Sequence, residues 1–187
     1  MPDFHFDPLL HIYTLDGVQI PSLTAILKSE GYIDTTFYAE GGAENGSRRH
    51  LICHLDDIND LVEDSIDDDD LPYLDSWRQF KRDTGFKLMA SETPVFQEVY
   101  RYACTPDKIA MVNGKLTIVE IKTGKLEPWT AIQTAAQALC FTEYHERIGV
   151  AVSATGYKIH PFRDRHDKDV WLACLIGYKW KQNNIRR

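Results

Sequence analysis

Two carboxylates and one ammonium group within a short segment have the types and spacing needed for chemistry. Asp107 and Glu120 stand at the open end of a predicted β-hairpin, and Lys122 follows Glu120 by one strand period on the same face. Residues directly opposite on paired strands have Cβ atoms about 4.5–5.5 Å apart, and like charges there repel each other. A divalent cation would relieve this repulsion, so the three residues form a candidate metal-dependent site.

The juxtaposition of the carboxylates depends on a tight turn at Asn113-Gly114. This dipeptide lies between two apolar-rich runs and favours a two-residue type I′ turn. The register that follows pairs Val112 with Lys115, Met111 with Leu116, Ile109 with Ile118 and Asp107 with Glu120. The hairpin is therefore the element that must position the site.

The remainder of the chain predicts helices and strands around this hairpin. Helical spacing of apolar residues occurs over residues 43–63, 71–82, 128–146 and 167–183, and Pro21-Ser22 opens a short helix. Strands are predicted over residues 11–20 (a small hairpin), 86–96, 99–103, 149–155 and 157–162. This order indicates an α/β (α+β) fold with a central mixed β-sheet flanked by helices. We expect a single domain over residues 1–187, with 1–40 as an N-terminal hairpin and helix extension.

The composition is that of a globular protein, with 43% hydrophobic residues, 26% charged residues and a net charge of −7. The acidic balance argues against a non-specific nucleic-acid coat protein, but not against an enzyme whose positive charge is local or carried by a metal. No signal peptide or membrane span is evident, and we expect a cytoplasmic protein. The four cysteines lack C-x-x-C spacing and predict small buried side chains. The acidic run 67–70 lacks EF-hand spacing and predicts solvated surface.

Thr105-Pro106-Asp107 followed by Glu120-Ile121-Lys122 has the pattern P-D…E-x-K. Upstream, Gly46 and His50 have Gly-x-x-x-His spacing, and downstream Gln133 and Gln137 are four residues apart. With these motifs, the chain resembles the PD-(D/E)XK nuclease superfamily, specifically its RecB-like exonuclease branch, which is common in bacteriophages. The two flanking segments resemble the Gly-x-x-x-His helix and the Gln-x-x-x-Tyr helix of that family. The resemblance extends over about residues 40–145. It departs from the family pattern at Gln137, where tyrosine is expected unless Gln137 and Phe141 are the equivalent pair, and at Cys104, where glycine is usual.

The resemblance implies a restriction-endonuclease-like core and a bound Mg²⁺ or Mn²⁺. The oxygen ligands would come from Asp107, Glu120 and the backbone carbonyl of Ile121, and His50 would add a nitrogen ligand. His54, one helical turn later, is an alternative ligand. Members with an iron–sulfur cluster carry a cysteine trio near the C-terminus that this chain lacks, so no such cluster is expected.

The same resemblance implies catalytic roles for Asp107, Glu120, Lys122 and Gln133, with Glu92 and Gln137 as possible accessory residues. Lys122 would orient and help to deprotonate the attacking water, or hold the scissile phosphate. Gln133 would hydrogen-bond phosphate or a catalytic residue, and Gln137 could take that role instead. Glu92 lies where relatives often hold another acidic residue, and an ordinary strand charge is the alternative.

Contacts with DNA are predicted for four residues outside the motif. They are Arg48, Arg49, Tyr102 and Lys125. A solvated helix face is the alternative for the two arginines, and strand packing is the alternative for Tyr102.

Residues and resemblance together predict a metal-dependent DNA nuclease that hydrolyses phosphodiester bonds, as a RecB-like exonuclease in phage recombination or DNA repair. The alternatives are a structure-specific or restriction-type endonuclease of the same fold, and a non-catalytic DNA-binding subunit of a recombination complex. A zinc hydrolase using His50 and His54 would lack the glutamate of H-E-x-x-H, since Leu51 stands there. We expect DNA as a partner, with a recombination annealing protein or a helicase as candidates for a second partner. No membrane partner is expected, and the sequence is compatible with an oligomer.

Overall fold

The computed structural model describes residues 2–33, 42–143 and 145–185. The strands of this part of the chain are β1 (Phe4–Asp7), β2 (Ile12–Leu15), β3 (Val18–Ile20), β4 (Lys87–Ser91), β5 (Val95–Gln97), β6 (Tyr102–Cys104), β7 (Lys108–Val112), β8 (Lys115–Thr123), β9 (Glu146–Ser153) and β10 (Gly156–Pro161). The helices are α1 (Leu23–Ser29), α2 (Gly42–Asp57), α3 (Leu71–Thr84), α4 (Trp129–Ala138) and α5 (His166–Asn184), with a short 3-10 turn at Glu63–Ser65.

A five-stranded mixed sheet with the order β10-β9-β8-β7-β4 forms the centre of the molecule. The pair β8 and β9 is parallel, and the other neighbours are antiparallel. Helices pack on both faces, which confirms the predicted α/β (α+β) class with a central mixed sheet flanked by helices. In the described residues, no helix combines the length and apolarity needed to cross a membrane.

Two clusters of buried side chains hold the helices in place, one against the central sheet and the other against one another and β6. One cluster joins α2 and α3 to β7, β8, β9 through residues such as Trp77, Phe80 and Ile121. The other joins α1, α4 and α5 through residues such as Leu27 and Trp171. Because side chains alternate along a strand, Val119 and Ile121 of β8 face the first cluster, while the residues between and after them face α4.

The N-terminal segment forms a three-stranded antiparallel sheet, β1-β2-β3, rather than the hairpin alone. The predicted hairpin is present, with Asp16 and Gly17 both at positive φ in its turn. The added strand, β1, is only four residues long and was not predicted. Its Phe4 and Phe6 pack against the buried Tyr13 and Leu15 of β2, so this small sheet has an aromatic core of its own.

Three predicted elements end earlier than expected, each for a local reason. The strand predicted over 86–96 breaks at Glu92, which adopts φ of 48°, and the chain continues in the separate two-stranded sheet β5-β6. The helix predicted to reach residue 63 ends at Asp57, because Asn59 takes a left-handed conformation. The helix predicted to reach residue 146 ends at Ala138, because the chain must turn back to begin β9 parallel to β8.

Candidate active site

The hairpin β7-β8 forms in the predicted register and brings the acidic pair to one end of the sheet. Its turn residues Asn113 and Gly114 have φ of 49° and 75°, as a type I′ turn requires. The observed pairs include Met111 with Leu116 and Ile109 with Ile118. Asp107 lies one residue beyond the end of this ladder, on the side of Glu120.

Glu120 is held in place by three donors. It is 2% exposed. Its Oε1 accepts hydrogen bonds from Lys122 Nζ at 2.7 Å and from Gln133 Nε2 at 2.6 Å, and its Oε2 accepts one from Gln137 Nε2 at 3.0 Å. The two glutamines lie one helical turn apart on α4, so both of them, rather than one or the other, contact the carboxylate. The side-chain oxygens of Gln133 and Gln137 have no hydrogen-bond partner within the described chain and remain available as acceptors.

The position of Glu120 opposes its ionisation. Burial raises the pKa of its carboxyl group, and the negative charge of Asp107 raises it further. The ammonium of Lys122 and the Gln137 amide act in the opposite direction and lower the pKa. The rise in the pKa of Glu120 that Asp107 causes reflects the repulsion between carboxylates that the hairpin register predicts.

Three side chains form a candidate metal cluster: one lies on α2, one directly after β4 and one directly before β7. Ligand atoms of His50, Glu92 and Asp107 all lie within 4.8 Å of one another. His50 Nδ1 is 3.5 Å from Asp107 Oδ2, and the same oxygen accepts a hydrogen bond from the Ile121 backbone N–H at 2.7 Å. One nitrogen and two carboxylates suit Mn²⁺ or Mg²⁺, so the donor set fits the predicted metal.

Glu92 thus has a more central position than the sequence indicated. Its left-handed backbone ends β4, and its backbone N–H donates to the Asp107 carbonyl at 3.1 Å, which ties the two residues together. Burial, followed by the charge of Asp107, raises the pKa of Glu92 to about 8. Glu120, which is predicted as a ligand, is not a member of this cluster among the described residues, and its oxygens accept hydrogen bonds from Lys122 and the α4 amides.

The raised pKa of Glu92 predicts a pH-dependent stability of the metal-free protein. The unfolded chain releases this proton near the ordinary glutamate pKa of about 4.3. The folded chain keeps it until about pH 8, so the free energy of unfolding falls as the pH rises through this window. Glu92→Gln removes the effect. In the presence of a chelator, we therefore expect its unfolding free energy, relative to the wild type, to increase between pH 5 and pH 9 in urea titrations. A difference that stays constant with pH would contradict the assignment.

A second polar group lies directly behind the metal cluster. Lys108 is fully buried; its Nζ donates to Ser91 Oγ at 2.7 Å and lies 3.3 Å from Asp57 Oδ2. His54 Nδ1 lies 2.6 Å from the same Ser91 hydroxyl, and burial followed by the charge of Lys108 lowers the pKa of His54. His54 thus belongs to this inner group, and the structure brings His50 rather than His54 to the cluster.

The metal cluster, Glu120 and Lys122 open into one cleft of about 450 Å³. Its walls also include Gln133, Gln137 and Trp129 of α4. The remaining lining residues come from the N-terminal sheet, the start of α1 and the chain before Asp107: Phe6, His11, Tyr13, Ser22, Leu23, Thr24, Cys104 and Thr105. The N-terminal segment is therefore a wall of the site and not only an extension.

The residues predicted to contact DNA are placed elsewhere. Arg48 and Arg49 both bond the carboxylate of Asp70, and the Arg49 guanidinium lies 3.5 Å from the centre of the Tyr73 ring. Asp70 is 1% exposed, so this part of the acidic run is buried and paired, which corrects the prediction of solvated surface.

Tyr102 and Lys125 also lie away from the cleft lining. Tyr102 has no exposed surface, and its hydroxyl donates to the Ala136 carbonyl at 2.7 Å. A ring without exposed surface cannot stack on a base, so the DNA contact predicted for Tyr102 is wrong and the packing alternative holds. Lys125 is exposed and lies 3.7 Å from Glu127 Oε1; its contact with DNA stays a prediction.

Two groups of residues in or behind the cleft were not predicted from the sequence. Phe6, His11 and Tyr13 gave no motif, and only the packing of β1 and β2 beside the loop before Asp107 brings them to the cleft. Lys108 could have been found from the sequence, because it lies within an otherwise apolar strand. A lysine in a buried strand is almost always paired with an acidic group, so its position predicts a buried ion pair.

Comparison with known proteins gave a limited result. No protein-family model and no curated protein matches the chain. Among solved structures, it is similar to the crystal structure of an alkaline exonuclease (LHK-Exo) from Laribacter hongkongensis, with 13% sequence identity and a TM-score of 0.40. The match covers 88% of this chain and 94% of that chain. A similarity at this level carries no argument about activity, which rests on the site itself.

Proposed function

We propose that the protein is a metal-dependent deoxyribonuclease that hydrolyses phosphodiester bonds. One observation carries this proposal: the cluster of His50, Glu92 and Asp107, with ligand atoms within 4.8 Å, opens into the same cleft as the Glu120–Lys122 pair. The cluster offers ligands for a hard cation, and beside it lie the buried carboxylate of Glu120 and the Lys122 ammonium that bonds it. This combination suits hydrolysis of a charged phosphate ester. The P-D…E-x-K pattern supports the same assignment.

Each side chain has a role that its contacts favour. His50, Glu92 and Asp107 would hold Mg²⁺ or Mn²⁺, together with Glu120 or the Ile121 carbonyl. When bound, the cation would lower the pKa of a water molecule and neutralise charge on the phosphate oxygens.

The remaining groups act on the water and the substrate. Lys122, anchored on Glu120 Oε1, would orient the attacking water or hold the scissile phosphate. Gln133 and Gln137 would keep the Glu120 carboxylate oriented. Their second amide oxygens would accept hydrogen bonds from water or substrate.

We place the activity in the RecB-like exonuclease branch, acting in recombination or repair, on the strength of the sequence pattern. An endonuclease of the same fold is the second candidate. A non-catalytic DNA-binding subunit is disfavoured, because a binding module has no need of a buried carboxylate whose ionisation is opposed by its neighbour.

The test is direct cleavage. Purified protein with Mg²⁺ or Mn²⁺ should degrade linear DNA and leave closed circular DNA intact, with products resolved on denaturing gels. Cleavage of closed circles would favour the endonuclease. No cleavage of either form, with either metal and at high protein concentration, would overturn the proposal.

A further inference from the structure

The cleft has an aromatic wall that the hydrolytic chemistry does not use. Phe6, His11 and Tyr13 of the N-terminal sheet line it together with Trp129 at the start of α4. Phe6 stacks on Tyr13 with ring centres 4.6 Å apart, and His11 meets the Phe6 ring edge-on at 5.3 Å. The Tyr13 hydroxyl lies 2.8 Å from Thr105 Oγ1, which fixes this aromatic group to the loop that leads into Asp107.

The aromatic side chains of this wall differ in how much of their surface is exposed to solvent. Tyr13 is 2% exposed and serves as a support, whereas Phe6 and Trp129 are half-buried and His11 is exposed. The Trp129 ring lies beside the catalytic lysine, with Lys122 Nζ 5.3 Å from the ring centre. Aromatic surface is therefore presented in the cleft both by the N-terminal sheet and by α4, next to the groups proposed for hydrolysis.

The size and charge of the cleft restrict what can occupy it. A volume of about 450 Å³ is in the range of small-molecule pockets, about 300–1,000 Å³. The chain carries a net charge of −7, so non-specific attraction to phosphates is weak. Base stacking on aromatic rings adds to the contacts that Lys122 and a bound cation would make with the phosphate, and it does not require a basic surface.

We propose that Phe6, His11 and Trp129 form a stacking subsite for an unpaired nucleobase of the DNA strand that enters the cleft. This inference rests on the proposed nuclease function, because it assigns a base-binding subsite to the same site. A base flanking the scissile phosphate stacks on the exposed aromatic surface, while the phosphate faces Lys122 and the metal cluster.

Binding without turnover tests the subsite. Full-length protein in Ca²⁺ is titrated with a single-stranded thymidine oligonucleotide and with an oligonucleotide of the same length made of abasic tetrahydrofuran residues, followed by fluorescence anisotropy. Stacking contributes about 1–3 kcal/mol per base, so the wild type should bind the thymidine oligonucleotide about 5- to 150-fold more tightly. Trp129→Leu and Phe6→Leu should each reduce this ratio. Trp180→Leu, which removes a tryptophan that is 60% exposed on α5 and does not line the cleft, should leave the ratio unchanged.

The outcomes separate this inference from the nuclease proposal. Equal affinity for the two oligonucleotides, or an unchanged ratio in both cleft variants, overturns the subsite even if the protein cleaves DNA. A base-dependent ratio that both variants reduce supports the subsite even if no metal yields cleavage, and in that case only the nuclease proposal fails. The two variants lie on different elements, so one remains informative if the other does not fold.

Discussion

Asp107→Asn should lose metal binding and DNA hydrolysis together while the protein stays folded. Asp107 shares the candidate metal cluster with His50 and Glu92, and removing its charge takes away a hard anionic ligand. We expect cleavage to fall by about 10²- to 10³-fold, the scale seen when one group that stabilises a transition state is removed. Asparagine keeps an oxygen that can accept the Ile121 N–H, so the loop before β7 should retain its conformation.

The measurement pairs Mn²⁺ titration calorimetry with a cleavage assay on the same preparation. Glu146→Gln is the matched control, since it removes one carboxylate from the central sheet at a place where the partner is the exposed Lys115. The control should bind Mn²⁺ and cleave DNA as the wild type does. If Asp107→Asn bound Mn²⁺ with wild-type affinity, the cluster would not be the metal site.

Lys108→Met should cause the largest loss of stability of any substitution proposed for this chain. The Lys108 and Asp57 side chains are both fully buried, and their nitrogen–oxygen distance is 3.3 Å. Removing one partner of a buried ion pair costs about 3–5 kcal/mol, because the other charge stays buried without compensation. We expect about 3 kcal/mol, since Lys81 and Trp77 still bond the second oxygen of Asp57. For a chain of this size, that loss lowers the melting temperature by about 6–12 °C.

Lys115→Met provides the control on the neighbouring strand of the same hairpin. Its ammonium pairs with Glu146 at 3.1 Å, but the side chain is 66% exposed, and exposed pairs contribute about 0–1 kcal/mol. Urea denaturation of both variants should therefore separate them by about 2 kcal/mol or more. Equal losses would show that the inner polar group does not anchor the sheet as its contacts indicate.

The sequence predicted most reliably what is set by local geometry. The turn at Asn113-Gly114 determines the pairing of its two strands, and alternation along β8 then places Glu120 and Lys122 on one face. Both follow from backbone geometry over a few residues, and neither requires knowledge of distant contacts.

Features that depend on long-range packing could not be predicted in the same way. The residues around Glu92 do not predict the left-handed conformation that ends β4 and brings the Glu92 carboxylate to Asp107. The burial of Asp70 likewise depends on two arginines of another helix, which satisfy a charge that the local sequence suggested was solvated. The aromatic wall requires β1, a strand too short for its periodicity to be distinguished from a loop.

The arrangement of paired neighbours has a consequence for engineering. Asp107 is adjacent in the chain to Lys108, Glu92 is adjacent to Ser91, and His50 precedes His54 by one helical turn. In each pair, the first residue belongs to the candidate metal cluster and the second belongs to the hydrogen-bonded group behind it. The candidate ligands and the side chains that hold the local structure are therefore different residues on the same short segments. A library that varies only His50, Glu92 and Asp107 should change the ion preference in many soluble, well-folded variants, whereas variation of Lys108, Ser91 and His54 should yield mostly insoluble chains.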